Sequence, residues 1–339
     1  MRPKRPTTAL TAATTLLTII TAAVAAEAIP VIKTYTDLRH HNIQREDADF
    51  VYYVVDPPNS VYTEARSINT HGQIVGFYRL VGQTTFTGFL YYQGNYAPIT
   101  LPGAVDVYPL RINNQRTIVG TATSPDGRYH GFILKGGQIA IVDDPAATNT
   151  VITGINDKDE IVGYSFDTPD EASNFVGDVA HAKLQPLTSG VCIWDINNAG
   201  AMVGDSIGST VSPTAKTDST ATVGKYIAGG TVQDISVGRR TTKAYGINNG
   251  NDVVGTYSDP HGFLIHKGQT VMFDVPGSEG VVGTQAFGID DIGRIVGVYQ
   301  EPSNDSRGEA LHGFLAVPKT GQYSQNYEPR ADPSDPGER

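Results

Sequence analysis

The chain has 339 residues, with 25 Lys and Arg against 35 Asp and Glu, a formal net charge of −10 and a single cysteine. An acidic chain without a basic cluster argues against nucleic acid and anionic membrane surfaces as partners. One cysteine excludes an intrachain disulfide, so a fold of this size must stand on its own packing.

At the N-terminus, Arg2, Lys4 and Arg5 precede an apolar, threonine-rich run from Ala9 to Ala26, with small residues around Ala25-Ala26. Residues 1–26 read as a signal peptide, which predicts a protein that is secreted or held within the secretory pathway. No later stretch is apolar enough to span a bilayer. Losing the signal removes three positive charges, so the mature net charge is −10 − 3 = −13. Residues 27–49, with His40-His41, are expected to form an extension on the outside of the fold. Residues 319–339 are polar and proline-containing and are expected to be a disordered tail. Asn304-Asp305-Ser306 is a glycosylation sequon.

Between these ends one unit recurs: Ile-Asn, a short turn, then an apolar pair and glycine. It begins at Ile68, Ile112, Ile155, Ile196, Ile247 and Ile289, and subtraction gives spacings of 44, 43, 41, 51 and 42. Asp290 replaces the asparagine in the last copy. Each unit holds four strand-like pieces. An apolar piece leads into the Asn, and a Val-Gly piece follows the turn. A third piece resembles His130-Gly131-Phe132, and a fourth ends in a polar residue followed closely by proline, as in Phe273-Asp274-Val275-Pro276. Four short antiparallel strands per unit make a propeller blade.

Three residues after each anchor stand Gly72, Arg116, Asp159, Gly200, Asn251 and Gly293. Five of these suit the left-handed backbone of a short hairpin loop, and Arg116 departs from the pattern. Gly76, Gly120, Gly163, Gly204, Gly255 and Gly297 recur at one position, which is expected to reflect close packing of neighbouring blades. The last unit stops at Pro318 without a fourth strand, while Phe50–Val55 looks like a fourth strand without partners. Pairing the two predicts an all-β, six-bladed propeller over residues 50–318, closed by its N-terminal strand.

The pattern resembles the HAF-type extracellular repeat family. His130-Gly131-Phe132 and His181-Ala182 match its third-strand signature, and Thr87-Gly88-Phe89 and Val223-Gly224-Lys225 depart from it. The resemblance implies an exported propeller and no particular activity. In outline the chain also resembles the secreted propeller-type hetero-Diels–Alder cyclases of fungal tropolone–sesquiterpenoid pathways, although no catalytic motif of theirs is matched residue by residue.

Chemistry-bearing motifs are few. His130, His181, His261 and His312 recur at what read as equivalent positions, which favours a structural role over a single catalytic centre. Asp157-Lys158-Asp159-Glu160 lacks calcium-loop spacing and reads as a turn, so no metal is expected. Cys192 reads as a small buried apolar group. Long irregular stretches at Tyr164–His181, Asp205–Gly224 and Gln300–Leu311 are expected on one face.

The innermost strands carry more information. Three residues before each anchor stand Arg66, Leu110, Thr153, Trp194, Tyr245 and Phe287. Five before it stand Glu64, Tyr108, Val151, Cys192, Lys243 and Gln285. This register differs from copy to copy. It either faces an axial cavity or fills the core between blades. In the cavity reading, Arg66, Arg111, Trp194 and Tyr245 are the candidate catalytic residues, and Glu64, Tyr108, Thr153, Asp195, Lys243 and Phe287 the candidate substrate contacts. The expectation is a cofactor-free enzyme that shapes a small organic molecule, with a Diels–Alder-type cyclisation in secondary-metabolite biosynthesis as the best match. The alternative is a non-catalytic extracellular module that binds a glycan or protein partner.

Overall fold

A computed structural model describes residues 45–168, 172–181, 183–187, 191–206, 222–237, 241–258, 260–278, 282–301 and 311–319. The expected signal peptide, the C-terminal tail beyond Lys319, His40-His41 and the sequon lie outside these residues. Among those described, every regular element is a β-strand.

In chain order, β1 (Arg45–Glu46) and β2 (Phe50–Val54) precede a meander of β3 (Ser60–Ile68), β4 (Ile74–Leu80), β5 (Thr87–Tyr92) and β6 (Asn95–Ile99). Four separate four-stranded sheets follow. The first contains β7 (Asp106–Ile112), β8 (Ile118–Thr123), β9 (Tyr129–Lys135) and β10 (Gln138–Val142). The second contains β11 (Asn149–Ile155), β12 (Glu160–Phe166), β13 (Ser173–Asp178) and β14 (Gln185–Leu187). The third contains β15 (Val191–Ile196), β16 (Met202–Ser206), β17 (Gly224–Ala228) and β18 (Thr231–Ile235). The fourth contains β19 (Thr242–Ile247), β20 (Val253–Tyr257), β21 (His261–His266) and β22 (Gln269–Phe273). The chain ends in β23 (Thr284–Ile289), β24 (Ile295–Gln300) and β25 (Leu311–Pro318). The fold is an all-β propeller with four-stranded blades.

The repeat predicts six separate sheets, whereas four are separate and the remaining strands form one nine-stranded sheet. Its two parts meet through a single parallel bridge, Leu311 to Tyr62. On one side of that bridge β3 to β6 run as a meander. On the other, β25 pairs with β24 and also with β2, in a register from Phe50↔Pro318 to Val54↔Phe314.

The anchor turns explain why the Ile-Asn unit recurs. Each anchor side chain accepts from the backbone of its own turn. Asn113 Oδ1, for example, takes the N–H groups of Gln115 and Thr117, at 3.1 and 2.8 Å. Its Nδ2 then donates to the next repeat's anchor carbonyl. Asn69 reaches Asn113 O at 3.1 Å, Asn113 reaches Asn156 O and Asn156 reaches Asn197 O at 3.0 Å each, Asn197 reaches Asn248 O at 3.1 Å, and Asn248 reaches Asp290 O at 3.0 Å. Asp290 has no N–H to give. Arg294, ion-paired to it at 2.6 Å, donates instead to Asn69 O at 3.1 Å. At the loop position Arg116 adopts φ +63°, like its counterparts Asp159 and Asn251, so the departure in residue type leaves the turn unchanged.

The recurrent glycine has another cause than the expected contact between blades. A Cβ on Gly76, Gly120 or Gly163 would lie 1.9–2.1 Å from the carbonyl oxygen of Glu64, Tyr108 or Val151, each on the inner strand of its own sheet. Opposite this glycine, across the second and third strands, stands a phenylalanine: Phe89, Phe132, Phe175, Phe263 or Phe314. Only Gly204 faces something else, Lys225. The ring covers the bare glycine and fills the layer between sheets.

That pairing corrects the histidine alignment. Phe175 holds the third-strand position, so β13 lies inside the stretch expected to be a loop from Tyr164 to His181. His181 follows β13 and bonds to Asp178, three residues before it, at 2.7 Å. The other three are equivalent. His130 and His261 reach Asp143 and Asp274 at 2.8 Å, and His312 reaches Asp56 at 2.5 Å. In each case the aspartate follows the fourth strand, so the histidine has a structural partner as expected.

Candidate functional site

The innermost strands share a defect. In every copy the pairing between first and second strands slips by one residue directly opposite the recurrent glycine. The unpaired residues are Arg66, Leu110, Thr153, Trp194, Tyr245 and Phe287, the variable set of the sequence. A bulged residue is released from the ladder and re-aimed, and here four of the six, Leu110, Trp194, Tyr245 and Phe287, converge in one buried cluster with Tyr108, Val151 and Cys192 from the position two residues earlier. The rings meet edge to face: Tyr164 on Trp194 at 6.1 Å, Trp194 on Tyr245 at 5.7 Å and Tyr245 on Phe287 at 5.3 Å. Arg66 covers the far ring, its guanidinium carbon 4.0 Å from the Phe287 centroid, and pairs with Glu64 at 3.0 Å. Side chains from separate sheets thus meet in one buried cluster on the axis.

One residue further along, the axis closes. Ser67, Arg111, Gly154, Asp195, Gly246 and Gly288 occupy this level. A Cβ on Gly154 would stand 3.0 Å from the Asp195 Cα, and one on Gly288 would stand 2.9 Å from the Ser67 Cα. The three glycines let the strands approach, and Arg111 with Asp195 fills the centre at 3.2 Å. The Arg111 guanidinium donates to Leu110 O at 2.8 Å, to Arg66 O and Phe287 O at 3.3 Å each, and to Tyr245 O in a short bond. Asp195 accepts the backbone N–H groups of Ile196 and Ile247, and Thr153 Oγ1 donates to Ile193 O at 2.8 Å. These contacts occupy groups that innermost strands otherwise leave unpaired. Burial pushes the Asp195 carboxyl up and the Arg111 guanidinium down, while each group's charge favours the other's ionised form.

Beneath this plug a polar funnel opens towards the anchor turns, lined by Asn69, Asn113, Asn156 and their counterparts. The ten residues singled out in sequence therefore divide. Glu64, Arg66, Tyr108, Thr153, Trp194, Tyr245, Phe287 and Lys243 lie in the inner-strand register at the level of the cluster, and Arg111 with Asp195 lies one level below it. Sequence reasoning missed the second-strand contributors Phe77, Tyr164 and Val298, each directly after the recurrent glycine. Their variability from copy to copy is the signal that could have found them. Desolvation pushes the Cys192 thiol up to about 12, which leaves it protonated and inert at neutral pH.

His130 has one further contact: its Nε2 lies 3.2 Å from Ser124 Oγ, while Nδ1 faces Asp143. The Ser124 proton, however, is directed to Asp126 in a short bond inside the turn that Ser124 N–H closes on Arg128 O at 3.0 Å.

No family model and no curated protein sequence matches the chain. Solved structures do. A putative TolB from Agrobacterium tumefaciens is similar at a TM-score of 0.52 and 12% identity, over 81% of this chain and 99% of that one. A mutant of AofleA from Arthrobotrys oligospora gives 0.47 at 12% identity, covering 78% and 88%. The β-propeller domain of the Trilobed protease from Pyrococcus furiosus gives 0.45 at 9% identity, covering 76% and 83%. At these identities the likeness is one of fold.

Proposed function

We propose that the chain is a secreted, cofactor-free catalyst that holds one small organic molecule in a chamber on the axis, walled by this cluster, and promotes its cyclisation, best matched by a (hetero-)Diels–Alder reaction. One observation carries this reading. The inner-strand bulges carry six different side chains, four of which meet in a single cluster with Arg66 over its Phe287 ring, whereas the anchor turns and glycines repeat. A wall that differs on every side defines one site with one orientation, as small-molecule recognition requires. In this reading the nine-stranded sheet is two blades held by a single bridge, which makes six, with β2 completing the last. The HAF-type resemblance is part of the same reading.

Cycloaddition needs orientation, exclusion of water and a hydrogen bond to a carbonyl that gains charge; it needs no nucleophile. Trp194, Tyr245 and Phe287 would set the shape. Arg66, held over Phe287 by Glu64, would supply the donor. Arg111 is committed to four carbonyls and Asp195, and serves as the floor.

Deleting the gene in its native host and profiling metabolites tests the reading. Loss of a cyclised product with open-chain compounds accumulating, rescued by wild type and not by Trp194→Ala or Arg66→Ala, is the expected result. An unchanged profile sinks catalysis and leaves an extracellular module that binds a glycan or protein.

A further inference from the structure

We propose that the open edge of β10 is a self-association surface: two copies of this chain pair their β10 strands antiparallel about Ala140 and join two blades into one continuous sheet.

An edge strand exposes unpaired N–H and C=O groups that invite another strand, and native folds blunt such edges with proline, charge or a covering segment. The position facing the third-strand phenylalanine shows which edges are blunted here. It holds Pro98 in β6, Pro186 in β14 and Asp234, opposite Lys225, in β18. In β2 it holds Val54, and β1 pairs along that strand's outer edge. Among the described residues, β10 and β22 alone place an uncovered apolar residue there, Ile141 and Met272. The end of β22 is enclosed by its neighbours: Phe50 packs on Phe273 with ring centroids 5.1 Å apart, and Arg45 Nη1 donates to Pro276 O at 2.8 Å. β10 ends its sheet with no strand against it among the described residues, and Ile141 is 51% exposed.

The sequence of β10 suits a copy of itself. Its hairpin with β9 turns on Gly136 and Gly137, at φ +57° and +79°, with Lys135 paired to Gln138. A two-residue turn of this kind bonds its closing pair, so Gln138, Ala140 and Val142 bond to β9 while the N–H and C=O groups of Ile139 and Ile141 face outward. Antiparallel pairing about Ala140 then sets Ile139 of each copy opposite Ile141 of the other, in two bonded pairs that give about four main-chain hydrogen bonds. The two alanines meet at the non-bonded position, where strands come closest and a methyl fits. Each isoleucine pair packs β-branched side chains across the join. The strand itself contains no charge and no proline.

Charge agrees with this register. Lys135, which reaches Asp159 in its own chain, is exposed at the hairpin end of one copy and falls beside the exposed Asp143, just past β10 in the other. The contact is isologous, so it closes as a dimer and leaves no free β10 edge for a third copy.

The contact is small and the association therefore weak, so sedimentation of the purified protein is followed from about 1 to 500 µM. The mass should rise from one chain to two across that range. Ile141→Pro removes an outward N–H and repeats the residue that β6 and β14 carry at this position, so the fold should hold while association weakens by roughly tenfold or more. Ala140→Glu, at an exposed side chain, should do the same by apposing two carboxylates, and it decides the matter if Ile141→Pro fails to fold. Met272→Pro, on the other apolar edge, should associate like wild type. A wild type that stays monomeric throughout, a dimer that survives Ala140→Glu and folded Ile141→Pro, or a dimer lost only in Met272→Pro overturns the proposal.

Discussion

Arg111 and Asp195, 84 positions apart by subtraction, meet 3.2 Å apart where the inner strands come closest. Between them they engage backbone groups of β3, β7, β15, β19 and β23. A buried pair is weak evidence for stability against an apolar substitute, but removing one partner leaves an unpaired buried charge. Asp195→Asn should therefore lower unfolding free energy by roughly 3 kcal/mol, read as a lower urea midpoint at unchanged slope. A loss below about 1 kcal/mol would mean that the carbonyls alone hold the guanidinium.

The glycine opposite each bulge makes a second claim. In Gly120→Ala the new methyl would fall 2.1 Å from Tyr108 O, a backbone atom that cannot move without breaking the bulge. Overpacking of this kind costs roughly 1–3 kcal/mol, and more where the backbone must shift, so the variant should lose about 3 kcal/mol or fail to fold. Gly154→Ala tests the other kind of close approach, between strands of different sheets, since its methyl meets the Asp195 Cα at 3.0 Å. Thermal melts of the two variants would show whether the bulge or the axis is the tighter joint.

The blades were legible because their anchor is a strict chemical requirement: an amide that accepts within its turn and donates to the next repeat. Asp290 could be read as its equivalent from spacing alone, but that Arg294 supplies the missing donor could not, since the two act together only across the join to Asn69. The axial register was legible as variation. Its cause was not, because a bulge is a property of pairing, and sequence shows only the glycine that makes room for it. Arg111 and Asp195 looked like handles for a ligand because sequence does not show that they lie one level below the aromatic cluster, among glycines. His181 was misaligned by its residue type, where the phenylalanine facing the glycine was the safer marker.

Asp290 offers a test in pH. Desolvation outweighs the pull of Arg294 and raises its carboxyl to about 6. A folded-state pKa above the unfolded value means that the folded form binds the proton more tightly. The group's contribution is then fullest below about pH 4 and is lost as pH rises through about 6. A rise from about 4 to about 6 corresponds to about 3 kcal/mol. Asp290→Asn, which restores the anchor of the other copies, should remove this slope and be more stable than wild type above pH 6. Equal or lower stability of the variant at pH 7 would show that the ion pair with Arg294 is worth more than the desolvation it carries.

His312 should respond at a higher pH. Its ring faces Asp56, which also accepts the backbone N–H of Gly313, so the pair joins β25 to the segment that follows β2. Desolvation lowers the imidazole pKa, but the hydrogen bond and charge of Asp56 outweigh it, and the net direction is up. A histidine with a raised folded-state pKa stabilises fully below its unfolded value, near 6.5, and loses that contribution as pH climbs through the folded one. His312→Gln should therefore be less stable than wild type by about 1 kcal/mol near pH 6, and the gap should narrow by pH 9. His130→Gln supplies the comparison, since its aspartate partner is more exposed, 41% against 17% for Asp56, and exposed pairs are worth less. If the His312 gap stayed constant from pH 6 to pH 9, the imidazole would be acting as a neutral hydrogen-bond donor and its charge would contribute nothing to holding β2 against β25.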